Sequence, residues 1–354
     1  MVLLSILMFA LGLVLLVKGS DFFVEAAATI AKKLGVSEFV IGLTLVAVGT
    51  SLPELASSIF AALKAESDIV VGNVVGSNIA NIGLIVGIGA LLTVIMTRRE
   101  MLQRDGYIML FAALLFYLFS FNGVISRFEA MLLLLLYVAY AVFLFEIKSK
   151  FSEEDTRAFS EFLSYFLKFE YFITIKKGLG PFFNHKARNR ARSEKELTEV
   201  PRSGLLRDFA VLLLSGLAVV FGARFLVSEA VFFAEFFDIP KTVIGISLIA
   251  VGTSLPELGV TVSAARQGYG NIAIGNVIGS NIANIFLVAG VAALVSPITV
   301  VRASIIYNAP FMIFMSVLLL IFIRTGWKIT RREGIVFLLL YSLFMISLFS
   351  RMLS

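Results

Sequence analysis

Cysteine is absent from this chain, so no disulfide, thiolate nucleophile or thiolate-bound metal enters its chemistry. A single histidine, His185, lies in a basic stretch and cannot build a histidine zinc site or serve a histidine-dependent hydrolytic centre. Charge is also scarce. Asp, Glu, Lys and Arg make up 15% of the 354 residues against 59% hydrophobic residues, and the mean hydropathy is +0.97, so most of the surface must face lipid. The net charge of +6 falls between apolar runs rather than in a nucleic-acid-binding patch. A polytopic membrane protein follows, with no nucleic acid, no cofactor and no protein partner implied. No nucleophile–base constellation is visible, so an enzyme is not expected.

Long apolar runs predict ten transmembrane helices, at about 2–28, 39–63, 69–97, 107–122, 128–147, 205–235, 242–266, 271–297, 303–323 and 334–350. With the N-terminus outside, the inside loops hold 23 of the 30 Lys and Arg, whereas the outside loops and tail hold only Lys64, Arg127, Lys241, Arg302 and Arg351. This bias predicts a cell-membrane protein with both termini outside and a cytoplasmic central loop. The first run aligns with a counterpart in the second half, Gly12 with Gly216 and Glu25 with Glu229, and is therefore expected to be a structural span rather than a cleaved signal.

What the chain does contain is a duplicated motif. Ala47-Val48-Gly49-Thr50-Ser51-Leu52-Pro53-Glu54-Leu55 returns as Ala250 to Leu258, and Gly72 to Ile82 returns as Gly275 to Ile285 with one conservative change, at a constant offset of 203 residues (54 to 257, 72 to 275). Five predicted spans per half is an odd number, so the halves enter the membrane from opposite sides. The fold class is an all-α membrane protein of two inverted five-helix repeats: 1–147, with motifs at 40–86, and 205–354, with motifs at 243–289, joined by a loop at 148–204. Pro53 and Pro256 lack an N–H and crowd the carbonyls of Gly49 and Gly252, so each motif predicts a broken helix whose freed carbonyls need a partner in lipid. Thr50, Ser51 and Glu54, with Thr253, Ser254 and Glu257, add hydroxyl and carboxylate oxygens, a hard ligand set suited to calcium, sodium or magnesium. A buried carboxylate costs several kcal/mol unless paired, protonated or on an ion, which marks the two glutamates as functional.

In the next helix Asn73, Ser77 and Asn81 share a face, as do Asn276, Ser280 and Asn284. Beside them Gly72, Gly76 and Ala80, and Gly275, Gly279 and Ala283, are small enough to bring backbones into contact. Asn73, Asn78, Asn276 and Asn281 are accounted for as readily by hydrogen bonds between helices as by ion binding. Lys18, Asp21, Glu25, Arg224 and Glu229 are assigned to snorkelling or local pairing.

These motifs closely resemble those of the sodium/calcium exchanger family, within the cation/calcium antiporters, prokaryotic type. The resemblance rests on Gly49 to Glu54, Gly252 to Glu257, Gly76-Ser77-Asn78 and Gly279-Ser280-Asn281, and it covers nearly the whole chain. It implies calcium held by Glu54 and Glu257 with the backbone carbonyls of Thr50 and Thr253. It further implies sodium sites at Ala47, Ser51 and Ser77 and at Ala250, Ser254 and Ser280 beside the same glutamates, with Asn81 and Asn284 lining the middle. The family's motion slides the first and sixth helices past the rest of the bundle. One departure is Asn284, where prokaryotic exchangers often carry Asp, so only two carboxylates remain. Charge alone then allows calcium exchange for sodium or, alternatively, for protons on the same two glutamates; the duplicated serines favour sodium. A channel is disfavoured by the duplicated Glu–Pro breaks.

In the central loop, Ser152 to Asp155 looks like a helix cap and Phe159, Phe162, Leu163, Phe166 and Phe169 recur at helical spacing. An interfacial helix is expected there, and the basic run Lys186 to Arg192 offers a surface for anionic lipid.

Overall fold

The computed structural model describes residues 2–99, 101–146, 158–174, 204–236 and 252–353. Among them seven helical stretches are long and apolar enough to cross a bilayer, and one bent pair makes an eighth. The first half comprises α1 (Val2–Leu34), the bent pair α2 (Glu38–Thr50) and α3 (Leu52–Leu63), α4 (Ser67–Leu92), α5 (Met101–Ser120) and α6 (Arg127–Glu146). A short helix, α7 (Ala158–Leu167), belongs to the central loop. The second half follows the same order with α8 (Leu205–Phe236), α9 (Leu255–Arg266), α10 (Gly270–Val295), α11 (Ser304–Arg324) and α12 (Arg331–Leu353).

Duplicated local signals set these boundaries. Ser126 and Glu129 form a reciprocal capping box at the start of α6, and Thr330 and Glu333 repeat it at α12. Single π-helical turns interrupt α4 at Asn81–Val86 and α10 at Asn284–Ala289, and others open α5 and α11. The sequence places the fourth span from residue 107, whereas α5 begins at Met101. The extra turn carries Arg104 and Asp105, which pair at 2.9 Å while the Tyr140 hydroxyl donates to the second Asp105 oxygen at 3.1 Å. Paired and hydrogen-bonded, these charges are tolerated inside the bundle.

Two-residue strands tie the halves together. β1 (Ile95–Met96) and its sequence counterpart β3 (Ile298–Thr299) fall in different ribbons: β1 pairs antiparallel with β4 (Lys328–Ile329), and β3 with β2 (Val124–Ile125).

Packing splits into two regions. The larger is a Val-, Ile- and Phe-rich core shared by α4 to α7 and α10 to α12. The smaller joins α1, α8 and α9. Glycine makes the α1–α8 contact: a Cβ on Gly222 would lie 2.6 Å from the Leu16 nitrogen, and one on Gly12 would lie 3.0 Å from the Gly222 oxygen. These contacts, together with the Lys33–Asp208 ion pair, run the two helices antiparallel. Gly275 and Gly279 likewise seat α10 on α2, with would-be Cβ atoms 2.7 Å from the Phe39 oxygen and 2.5 Å from the Leu43 oxygen. The segment that Gly72 and Gly76 would meet by the same symmetry, 242–251, lies outside the described residues.

In the central loop the helix forms, and Phe159, Phe162, Leu163 and Phe166 turn onto the bundle. Phe162 is fully buried, with its ring against Tyr140 and Phe143, because an aromatic groove between α5 and α6 offers denser packing than the membrane surface; Phe169 is exposed. The Ser152 to Asp155 cap and the Lys186 to Arg192 run lie outside the described residues.

Gly279→Ala should destabilise the protein by about 1–3 kcal/mol, since the added methyl has backbone on one side and Ala47 on the other. Gly89→Ala, whose methyl meets only the ends of the Ile95 and Thr261 side chains, should leave the thermal midpoint in detergent nearly unchanged. Equal midpoints for the two variants would contradict this packing.

Candidate functional site

The site is built on two matching helix breaks. At Ser51 the backbone leaves the helix (φ −84°, ψ 6°) and α3 continues at 44° to α2; Ser254 adopts the same conformation (φ −89°, ψ 5°) before α9. Pro53 and Pro256 then sit in the first turn of α3 and α9, where no backbone N–H is needed. Pro53 thus starts the second helix of the bent pair rather than kinking a continuous one, and Pro256 starts α9 in the same way. The same first turns carry Glu54 and Glu257, both buried, at the ends where free N–H groups favour negative charge.

The two carboxylates belong to one site. Ser51 Oγ, three residues before Glu54, donates to Glu257 Oε1 at 3.1 Å. The other three carboxylate oxygens, both from Glu54 and Oε2 of Glu257, are buried without a hydrogen-bond partner, as are Ser254 Oγ, the Asn81 side-chain oxygen and both polar atoms of Asn284. So many unpartnered buried oxygens are costly unless something meets them, and a cation is a species that this chemistry would suit.

The polar faces of α4 and α10 close the site from either side. Thr50 Oγ1 lies 3.2 Å from Asn276 Oδ1 and 3.5 Å from Ser280 Oγ, and Thr253 Oγ1 donates to Asn73 Oδ1 at 3.4 Å. Ser77 is buried 3.5 Å from Asn73 Oδ1. Asn81 and Asn284 both open π-helical turns and are buried, and the Asn81 amide donates across the halves to Asn281 at 2.9 Å. Asn78 and Asn281 make helix-to-helix or local bonds, Asn78 to the Val74 carbonyl and Asn281 to Met109 sulfur. Ala47 is buried on the last turn of α2, where its carbonyl lies 3.3 Å from Thr50 Oγ1 as a second, longer acceptor beside Asn276 Oδ1; Ala250 lies outside the described residues.

Cavities adjoin both breaks. One of about 750 Å³ between α3 and α8, lined by Ser57, Lys64, Glu66 and Arg224, reaches Thr253 and Pro256. Arg224, assigned from sequence to snorkelling, faces this cavity. Another of about 630 Å³ is lined by Val48, Gly49 and Leu52 beside the first break and by Phe209 and Gly216 of α8. Helix α1 packs closely on α9: a Cβ on Gly259 would lie 2.7 Å from Ser20 Oγ, and Ser263 Oγ donates to Asp21 at 2.6 Å. Asp21 is therefore a contact between helices, not a lone interfacial charge.

Sequence reading passed over Ser58 and Thr261. Both are buried and each receives a hydrogen bond from an asparagine, Asn73 at 2.8 Å and Asn276 at 3.0 Å. They occupy equivalent places but differ in residue type, so a search for identical repeats misses them; a search for repeated hydroxyls four residues after each glutamate finds them.

Known proteins share this arrangement. The family described as "Sodium/calcium exchanger protein" matches residues 4–146 and again 208–350, once in each half. A sodium/calcium exchanger from Methanosarcina acetivorans, MaX1, is 55% identical over 350 residues, covering 99% of each chain. The inner membrane protein YrbG of Escherichia coli is 31% identical over 83% of this chain and 81% of its own length. The solved structure of the sodium-calcium exchanger NCX_Mj soaked with sodium and strontium superposes with a TM-score of 0.78 at 31% identity, covering 98% of this chain and 99% of that one. By its sequence in both halves and by its fold, the chain belongs to the sodium/calcium exchanger protein family.

Proposed function

We propose that this protein is a secondary antiporter that exchanges calcium for sodium, with the cation held at the membrane midplane between Glu54 and Glu257. The observation that carries this reading is the pair of buried glutamates at matching helix breaks, three of whose four carboxylate oxygens have no hydrogen-bond partner. Two carboxylates balance one calcium, and the carbonyls of Thr50 and Thr253 complete a hard oxygen shell. Sodium occupies flanking positions at Ala47, Ser51 and Ser77 and at Ala250, Ser254 and Ser280, beside the same glutamates, with Asn81 and Asn284 between them. Membership in the family and likeness to MaX1 and NCX_Mj, both called sodium/calcium exchangers, support calcium and sodium as the ions.

The halves, 1–147 and 205–354, are read as inverted five-helix repeats, ten spans in all, around the 148–204 loop. Antiparallel packing of the equivalent helices α1 and α8 supports inversion, as does the placement of β1 and its counterpart β3 in opposite ribbons. Alternating access is read from the two cavities. The one at Lys64 is the outward route, and the one beside Gly49 and Leu52, against Phe209 and Gly216, is the inward route. A slide of the glycine-locked α1–α8 pair, whose α8 lines both, would widen one and narrow the other.

Radiolabelled calcium uptake into proteoliposomes tests the ion site. A sodium gradient should drive uptake, and Glu54→Gln or Glu257→Gln should reduce it to below about a tenth of wild type, because each removes half the charge facing a divalent ion in a low-dielectric site. Uptake driven by a proton gradient alone would replace sodium with protons; undiminished uptake in either variant would remove the two-glutamate site.

Because the chain contains no cysteine, single substitutions report topology cleanly. Lys64→Cys should react with an impermeant maleimide from outside and Arg266→Cys only from inside. Reaction of both from one side would disprove the inversion.

Asn284→Asp adds a third carboxylate that needs a counter-charge, either a proton or a further cation. Exchange by this variant should depend more steeply on pH than wild type and gain from potassium at high pH, whereas wild type should need no potassium. Identical pH profiles for the two proteins would place residue 284 off the ion path.

A further inference from the structure

We propose that Ser58 and Thr261 are positioning residues that set the size of the cation cage by orienting a pair of cross-bracing asparagines. The inference rests on the two-glutamate site and adds residues that bind no ion themselves.

The asparagine orientation is dictated by its neighbours. Asn73 Nδ2 stands 3.0 Å from the Glu54 carbonyl oxygen and 2.8 Å from Ser58 Oγ. A carbonyl only accepts, so the amide nitrogen must face it and the amide oxygen must face away. That oxygen accepts from Thr253 Oγ1, in the other half, at 3.4 Å. The second half mirrors each contact: Asn276 Nδ2 faces the Glu257 carbonyl at 3.5 Å and Thr261 Oγ1 at 3.0 Å, and Asn276 Oδ1 accepts from Thr50 at 3.2 Å. Each asparagine thereby ties the glutamate turn of its own half to the helix break of the other.

Consequences for the ion follow from geometry. Thr50 and Thr253 stand at the breaks whose carbonyls complete the proposed shell, and the braces fix how far each break sits from the opposite glutamate. Calcium needs oxygens at about 2.3–2.6 Å, and larger divalent ions need a wider cage. A hydroxyl at residues 58 and 261 holds each amide in the one orientation that presents its oxygen across the halves. Without it the amide nitrogen keeps only the glutamate carbonyl, at 3.0 Å for Asn73 and 3.5 Å for Asn276, and the cage loosens, more so in the second half. Ser58, Thr261 and Asn276 are essentially solvent-free, so water cannot substitute for the lost partner.

The test compares Ser58→Ala with Ser58→Thr, and Thr261→Val with Thr261→Ser, in the full-length protein reconstituted in proteoliposomes. The readouts are the calcium concentration at half-maximal sodium-driven uptake and inhibition of that uptake by strontium and barium. Removing the hydroxyl should raise the half-saturating calcium about three- to tenfold and reduce preference for calcium over barium by a similar factor. The hydroxyl-retaining partners should stay within about twofold of wild type. Thr261→Val keeps the side-chain shape, so it serves if Ser58→Ala fails to fold. Unchanged half-saturation and unchanged barium inhibition in Thr261→Val, or equal losses in Thr261→Val and Thr261→Ser, would overturn the bracing role. Glu54→Gln is run alongside: abolished uptake there together with a wild-type Thr261→Val defeats the braces alone, whereas sustained uptake in Glu54→Gln defeats the two-glutamate site on which they rest.

Discussion

Burial of two carboxylates in one low-dielectric site is the constraint on which the rest of this structure depends. Glu54 and Glu257 are almost solvent-free, and removing two negative charges from water costs several kcal/mol each unless something positive or proton-donating meets them. The protein supplies little of that itself. One serine hydroxyl reaches Glu257, and the helix N-termini of α3 and α9 contribute partial positive charge. At the proposed site a cation would meet the remainder, and stability and transport would then draw on the same unmet demand.

That demand explains why helices are broken where they are. A continuous helix would leave no carbonyl for an ion; a break at Ser51 or Ser254 frees carbonyls and aims an N-terminus at the same point. Proline in the next turn restarts the helix without wasting an N–H. π-helical turns begin at Asn81 and Asn284, the same place in each half. The fold around the breaks is correspondingly tight, because α10 lies on α2 through glycines with no room for a methyl group.

How the two halves hold each other also bears on motion. The α1–α8 pair meets through backbone at Gly12 and Gly222, which suits a unit that moves as one body. Its contact with α9 combines the smaller apolar core with hydrogen bonds at Asp21, Ser263 and Gln267, where Gln267 Nε2 donates to the Asp21 carbonyl at 3.2 Å.

Much of the architecture and of the candidate site was legible in the residues alone. Hydropathy located the spans because lipid admits few other solutions, and the exact repeat of Gly-Thr-Ser-Leu-Pro-Glu marked both breaks because an ionisable residue in an apolar run has to be accounted for. Other features were hidden from sequence for physical reasons. The true start of α5 was masked by Arg104 and Asp105, whose mutual neutralisation, with Tyr140, is visible only once α5 and α6 are packed. The aromatic stripe of α7 read as a membrane-surface face, since periodicity shows that a face is apolar but not what covers it. Ser58 and Thr261 carried no signal as single residues because their role exists only relative to an asparagine 15 positions away in sequence on the neighbouring helix. Sequence by itself determined the solvent, the repeat and the glutamate pair, all of which follow from composition and covalent order. Tertiary structure alone decided which amide meets which hydroxyl, and where cavities reach the two breaks, because both depend on distances between helices that no local pattern encodes.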